Sequence, residues 1–323
     1  MDLKISFAGA FLQTSDNCSM FNRFTPGPAH PAPLPSGICY LNGQYSPLSE
    51  AKVSVLDRGF IFGDAIYEVV PAYRGRLFKF DEHMARLERS LSEVWMTNPH
   101  AALGWRTIFE RLLLENARLL DTPIHQFNAN IYLQISRGVA PRDHVIPHNL
   151  SPTVFAMCQP SPERSEKPLE NGVFCITHDD FRWEKAHIKT TSLMGAILAK
   201  RLSEQAGAAE TVMFRDGFLS EAASSNVWVV KQGAVFGVPN DHLVLEGVRY
   251  GVLAQLCEAL SIPFELKPLS KADVFDADEL LLSSASKEIL PITQLDARAI
   301  ADARPGPIYH QLYCAYQALK HHE

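Results

Sequence analysis

Hydrophobic positions along the chain switch repeatedly between a period of two and a period near 3.6. Residues 65–73 alternate as a strand, and Gly75 turns the chain back into Leu77-Phe78-Lys79-Phe80, which predicts a hairpin. Asp81 then stands where it can cap a helix whose apolar positions are Met84, Leu87, Leu91, Val94 and Trp95, with Arg86 beside that face. A second helix is predicted over 106–120 from Ile108, Phe109, Leu112, Leu113 and Leu120, and a strand over 130–136. An earlier hairpin turns at Asn42-Gly43. Residues 137–144 read as an irregular loop broken by Gly138 and Pro141.

The second half repeats the alternation with different spacing. A strand over 173–177 leads through Lys189 into a helix over 194–206 that Gly207 ends. Asp216-Gly217 separates strands over 211–215 and 218–230, which places Glu221 just past a hairpin turn. Gly233 marks another turn. After Leu243-Val244-Leu245, Gly247 precedes the helical pattern Val248, Val252, Leu253, Leu256 and Leu260, so amides of a helix N-terminus fall near Gly247 and can bind an anion. The pattern predicts a mixed α/β protein in four parts: a poorly ordered, proline-rich extension over 1–37, a small α/β domain over 38–158, an interdomain linker over 159–170 and a large domain over 171–323.

Composition narrows the function. The 323 residues are 46% hydrophobic and 20% charged, with a formal net charge of -6, so no basic field attracts nucleic acid. Six scattered cysteines form no Cys-x-x-Cys pair, which points to free thiols in a reducing cytosol. No stretch approaches the ~20 apolar residues a bilayer span requires, so neither a membrane nor a metal partner is expected. His144 and His148 have metal-like spacing, but Pro147 between them excludes a shared helix face. Gly-x-Gly-x-x-Gly, Walker and Gly-x-Ser-x-Gly motifs are missing. Trp95, Trp105, Trp183 and Trp228 are expected in the core or at an interface.

A lone lysine is ordinarily a solvated surface residue. Lys189, however, lies in His187-Ile188-Lys189-Thr190-Thr191-Ser192-Leu193, and Glu221 lies in Leu219-Ser220-Glu221-Ala222-Ala223-Ser224-Ser225-Asn226-Val227. These segments, with Asp57-Arg58-Gly59, Phe62-Gly63-Asp64-Ala65-Ile66-Tyr67-Glu68 and residues 280–291, resemble the class IV aminotransferases over nearly everything after residue 38. The resemblance implies a fold type IV enzyme that uses pyridoxal 5'-phosphate, with a small N-terminal α/β sandwich domain and a larger C-terminal α/β pseudo-barrel domain. Lys189 would hold the cofactor covalently and shuttle a proton as general base and acid, which demands a neutral amine. Glu221 would keep the pyridine nitrogen protonated, making the ring an electron sink.

The resemblance also assigns phosphate anchoring to Arg86 and to backbone amides at Gly247 and Val248, and ring packing to Leu245. Ser225 and Ser284 complete the expected cofactor contacts. Two departures stand out. Relatives commonly read Gly-Ile-Thr-Arg where this chain has Gly247-Val248-Arg249-Tyr250, and Ala285 replaces a hydroxyl. Arg249 is the candidate charged replacement, with Ser284 or Ser286 as the hydroxyl source.

Within that family the resemblance is closest to D-amino-acid aminotransferases. Arg142-Asp143-His144 matches their Arg-x-His, whose first and third residues share one side of an extended segment. With Tyr67 it resembles a trap for the substrate carboxylate, contributed across a homodimer interface, and Val69 is expected in the pocket wall. The implied reaction moves the amino group of a D-amino acid such as D-alanine to a 2-oxo acid such as 2-oxoglutarate in two half reactions, in the cytoplasm. Alternatives on the same fold are a branched-chain L-amino-acid aminotransferase, an (R)-amine transaminase and an aminodeoxychorismate lyase. A catalytically silent binding protein is a further alternative, which retention of Lys189 and Glu221 opposes.

Overall fold

A computed structural model of the protein describes residues 36–161 and 167–322. The expected extension over 1–37 therefore falls outside the described residues, apart from Ser36 and Gly37, as does the middle of the 159–170 segment.

The first sheet has six strands: β1 (Ile38–Leu41), β2 (Gln44–Pro47), β3 (Ala65–Tyr73), β4 (Arg76–Leu77), β5 (Ala129–Ser136) and β6 (Thr153–Pro160). They pair antiparallel in the order β2-β1-β6-β5-β3-β4. Asn42 and Gly43 both take positive φ, at 48° and 91°, which matches the right-handed twist of β1 and β2 in a two-residue hairpin. Three helices belong to this part: α1 (Arg58–Phe62), α2 (Phe80–Glu93) and α3 (Ala102–Leu119). Leu87 and Leu91 of α2 and Phe109, Leu112 and Leu113 of α3 are buried with Val70, Ile131, Leu133 and Ile135 of the sheet.

The remainder contains α4 (Lys167–Asn171), β7 (Val173–Asp179), α5 (Met194–Gln205), β8 (Glu210–Arg215), β9 (Phe218–Ala222), β10 (Asn226–Lys231) and β11 (Ala234–Gly237). It continues through α6 (Arg249–Ala259), β12 (Phe264–Leu266), α7 (Lys271–Phe275), β13 (Glu279–Ser284), β14 (Glu288–Leu295), β15 (Arg298–Ala299) and α8 (Pro307–His322). Nine strands form one mixed sheet in the order β12-β11-β10-β13-β14-β7-β8-β9, with β15 on β14. Its central strands are apolar at successive positions because both faces are covered. Leu280 and Leu282 of β13 enter one core with Val227 and Val229, while Leu281 enters another with Trp228 and Val230. The pleat thus sends one hydrophobic run into two cores. Packing crosses between the halves: Phe78 and Tyr73 pack with α6 and α8, and Ile188 packs in the core of the first sheet.

Several local expectations need correction. Helix α2 begins at Phe80, and its N-cap is Lys79 with φ 52°, not Asp81. Burying both Phe78 and Phe80 forces this turn, and Asp81 falls inside the first turn, where its charge favours the helix dipole. Trp95 lies beyond the helix end and is 83% exposed. Helix α3 starts four residues before the expected Arg106, and Leu120 is exposed at its C-cap. The strand expected over 218–230 is two strands, because Ala223, Ser224 and Ser225 break it where pairing passes from β8 to β11 and β13. Among the described residues, no helix is long and apolar enough to cross a membrane.

Candidate active site

Lys189 approaches the first sheet through its backbone. Its carbonyl accepts from the Tyr67 amide at 3.0 Å, the Thr191 amide donates to the Ala65 carbonyl at 2.9 Å, and Thr190 bridges Ile66. The Lys189 amide donates to Ser90 Oγ of α2 at 3.2 Å. A segment that leads into α5 is thereby pinned along β3, which places Lys189 Nζ 4.2 Å from the centre of the Tyr67 ring. That ring is backed by Tyr132, centroid to centroid 5.8 Å. Tyr67 and Lys189 both line a cavity of about 650 Å³.

Glu221 lies on β9 in the same cavity and is buried. One carboxylate oxygen accepts from Arg182 Nη1 at 2.6 Å and the other from Asn226 Nδ2 at 3.2 Å. Arg182 is itself held by Asp180, whose carboxylate also accepts from Ser220 Oγ. Burial raises the proton affinity of Glu221, and the Arg182 guanidinium opposes that shift without cancelling it. A carboxylate balanced in this way suits sharing a proton with a basic ring nitrogen. Asn226 Nδ2 also donates to the Leu245 carbonyl at 2.9 Å, which fixes Leu245 in the wall. Gly247 passes so close that an added Cβ would lie 2.2 Å from Asn226 Oδ1, so only glycine fits there.

Gly247, Val248, Arg249, Ser284 and Ala285 gather at the start of α6 and the end of β13, all lining the cavity. Val248 is the helix N-cap without a side-chain cap, and although the Tyr250 amide donates to the Gly247 carbonyl at 2.9 Å, the amides of Val248 and Arg249 can face an anion. Arg249 is 1% exposed, and its Nε and Nη1 have no hydrogen-bond partner. Buried cationic donors without partners fit a phosphate group. Ser225 Oγ donates to Glu210 at 3.3 Å, and Ser284 Oγ accepts from the Lys287 amide at 3.0 Å. The Ala285 side chain offers no hydroxyl, although its carbonyl accepts from Arg249 Nη2 at 3.4 Å.

Arg86 also lines the cavity, but Glu68 takes up its charge. Arg86 Nε and Nη2 each meet one Glu68 oxygen at 2.7 Å, and Nη1 donates to the Glu246 carbonyl at 3.1 Å. His83 Nδ1 contacts Glu68 at 2.8 Å. Glu68 and His83 were missed in the sequence. Their signal is present in hindsight: Glu68 faces away from Tyr67 on β3, and His83 and Arg86 are three apart on α2. Arg182 and Asp180 were missed as well, and Trp183, expected in the core or at an interface, lines the cavity.

Three expected site residues are not in this cavity. Val69 shares a face of β3 with Tyr67 but is not part of the lining. Arg142 and His144 are exposed and gather on Phe62, with Arg142 Cζ 5.6 Å and the His144 ring 5.5 Å from its ring centre. Arg58 Nη1 fixes their loop by donating to the Asp143 carbonyl at 2.7 Å, while Arg58 Nε binds Asp64 at 2.8 Å.

The buried Glu68 triad makes the protein acid-sensitive. Burial opposes a charge on Glu68, but Arg86 and the hydrogen bonds from Arg86 and His83 outweigh it and hold the carboxyl well below its usual range. Burial lowers the His83 pKa from 6.5 to about 4, against the pull of Glu68. Between these two His83 values the unfolded chain binds a proton that the folded chain does not, so stability falls as pH drops from 6.5 towards 4. Melting temperature measured across that window should decline less steeply in His83→Gln; an identical slope would remove His83 as the source.

Residues 65–295 match the family described as amino-transferase class IV. D-alanine aminotransferase of Bacillus licheniformis is 35% identical over 276 residues, covering 85% of this chain and 94% of that protein. D-alanine aminotransferase of Staphylococcus haemolyticus is 36% identical over 274 residues, covering 84% of this chain and 94% of that protein. Among solved structures, the branched-chain amino acid aminotransferase of Escherichia coli superposes with a TM-score of 0.80 at 22% identity, covering 88% of this chain and 95% of that one. A T.th. branched-chain amino acid aminotransferase with pyridoxamine 5'-phosphate gives 0.80 at 21% identity, covering 90% and 96%. Matched over most of its length in sequence and in its two-sheet fold, the chain belongs to the class IV aminotransferases.

Proposed function

We propose that this aminotransferase moves the amino group of a D-amino acid such as D-alanine to a 2-oxo acid such as 2-oxoglutarate, using pyridoxal 5'-phosphate. The observation that carries the reading is that Lys189, Glu221 and the anion-binding start of α6 line one cavity. The 35% identity to D-alanine aminotransferases supports the substrate class. The bound cofactor supplies an electron-withdrawing ring that stabilises negative charge at the substrate Cα.

The residues then divide the work. Lys189 Nζ takes the Cα proton of the donor amino acid and in the second half reaction returns one to the carbon derived from the 2-oxo acid. Tyr67 confines that amine on one side. Glu221 holds a proton at the ring nitrogen, and Arg182 keeps its carboxylate oriented. Leu245 and Ser225 would help to hold the ring. Gly247, Val248 and Arg249 would anchor the phosphate, with Ser284 and the Ala285 segment closing that end and Arg86, bound to Glu68, shaping the wall. The sheets over 38–158 and 171–323 act as two domains joined through 159–170.

Arg142 and His144 complete the site from a second copy of the chain. Their loop stands outside its own cavity yet is fixed by Arg58, as a loop presented to a partner must be. The segment carrying Val55 and Phe60 is joined to it by the Asp57 and Val139 bridge and the hydrogen bond from Ala140 to Leu56. Val55, Phe60 and Val145 are 71%, 70% and 72% exposed, an apolar surface suited to a homodimer interface. Arg142 would grip the substrate carboxylate bidentately, with His144 and Tyr67, and so decide which Cα hydrogen faces Lys189. Val69, on the same face of β3 as Tyr67, would flank the pocket that this loop completes. The reaction takes place in the cytoplasm.

The reading is tested by the visible spectrum of the purified holoenzyme. D-alanine should bleach the cofactor band while L-alanine and L-leucine leave it; bleaching by the L-amino acids alone would overturn the stereochemistry. Lys189→Ala should lose both the band of the covalently held cofactor and all transamination, and an active, yellow variant would refute the assignment. Arg142→Leu should keep the band and raise KM for D-amino acids by about tenfold or more, the scale of one charge-assisted contact. Unchanged kinetics would remove Arg142 from the site.

A further inference from the structure

Arg249 differs from the other arginines at the cavity, Arg86 and Arg182, in how its charge is met. Arg86 faces both oxygens of Glu68, whereas Arg249 Nη2 donates to a neutral phenol, Tyr316 Oη, at 2.9 Å and to the Ala285 carbonyl at 3.4 Å. The rings of Phe78 and Tyr316 flank the guanidinium at 5.3 and 5.9 Å. A buried guanidinium loses its hydration, and with Nε and Nη1 uncommitted it is matched by an anion.

We propose that Tyr316 of the C-terminal helix is a positioning residue for the cofactor's phosphate, holding Arg249 by one nitrogen so that Nε and Nη1 stay committed to nothing else in the protein. The inference rests on the cofactor reading above and adds α8 to that site. Tyr316 is wholly buried and belongs to the core shared by α6, α8 and Phe78. Tyr73 packs against the same core, with its ring 5.4 Å from that of Phe78. Glu288 is held by Lys320 Nζ at 2.8 Å and Gln317 Nε2 at 3.0 Å, both from α8. The Glu288 charge is thus met by side chains of α8, while the Tyr316 hydroxyl of the same helix takes one nitrogen of Arg249 and leaves Nε and Nη1 for a phosphate.

The test compares pyridoxal 5'-phosphate with pyridoxal, which lacks the phosphate, in equilibrium binding to the full chain stripped of cofactor. Tyr316→Phe keeps the ring and removes the hydroxyl. It should weaken pyridoxal 5'-phosphate by about tenfold, the scale of a hydrogen bond to a charged group, and leave pyridoxal unchanged. In an Arg249→Leu background the same change should have no further effect. Equal weakening of both ligands, no weakening, or full additivity with Arg249→Leu would each overturn the proposal. Should Tyr316→Phe fail to fold, Tyr316→Met, which also removes the hydroxyl, is read by the same comparison: selective loss of the phosphorylated ligand supports the proposal, and any other pattern overturns it. Bleaching of the wild type by L-amino acids alone would sink the substrate reading and leave this result standing.

Discussion

The backbone contact between β3 and the segment around Lys189 is the constraint on which the site depends. Lys189 is carried by the chain that leads from β7 to α5, while Tyr67, Glu68 and the helix bearing Arg86 belong to the first sheet. The paired hydrogen bonds at Ala65, Tyr67, Lys189 and Thr191 join them as a short added strand would. Without that junction, Lys189 would have no fixed distance to Tyr67, and the cavity would lose a wall. Ile188 is buried in the first core immediately before the lysine, so the apolar neighbour anchors what the polar one uses.

Charge in the cavity is distributed by the same logic of fixed partners. Glu68 takes up Arg86, and Arg182 takes up part of Glu221, leaving two buried ionic pairs whose geometry is held by several hydrogen bonds each. Such pairs orient side chains more than they attract a ligand. Anion affinity is left to Arg249 and the first amides of α6, whose donors the protein leaves available. The departure of this chain from the common Gly-Ile-Thr-Arg segment thus replaces a small hydroxyl with a charged group, and the flanking rings of Phe78 and Tyr316 accommodate its bulk.

Periodicity made much of this fold legible. The limits of β3 follow directly from alternation and from the turn at Gly75, and the apolar stripes of α2 and α3 identify the faces that become buried. Motifs made Lys189, Glu221 and the Gly247 turn legible, because each sits in a recognisable segment. The rest depended on partners distant in sequence. The break at Ala223–Ser225 arises where one strand leaves β8 for β13, which no local pattern records. Tyr316 lies 67 residues from Arg249, and Arg182 lies 39 from Glu221, so their roles exist only once the sheets have formed.

The exposure of Arg142 and His144 follows from the same division between fixed and presented groups. Asp64 binds both Arg58 and Arg137, at 2.8 Å each, and these two buried arginines reach the Asp143 carbonyl and the Val94 carbonyl respectively. One carboxylate therefore ties the irregular loop to both α1 and the end of α2. A loop tethered by backbone carbonyls keeps its shape while its side chains remain free to meet a ligand. Arg142 and His144, two apart on that tethered segment, both gather over the Phe62 ring. Discrimination between the two hydrogens of a Cα needs the carboxylate fixed relative to Lys189. On the reading proposed above, a rigid loop presented to a neighbouring copy would achieve that more directly than a flexible lid over its own cavity.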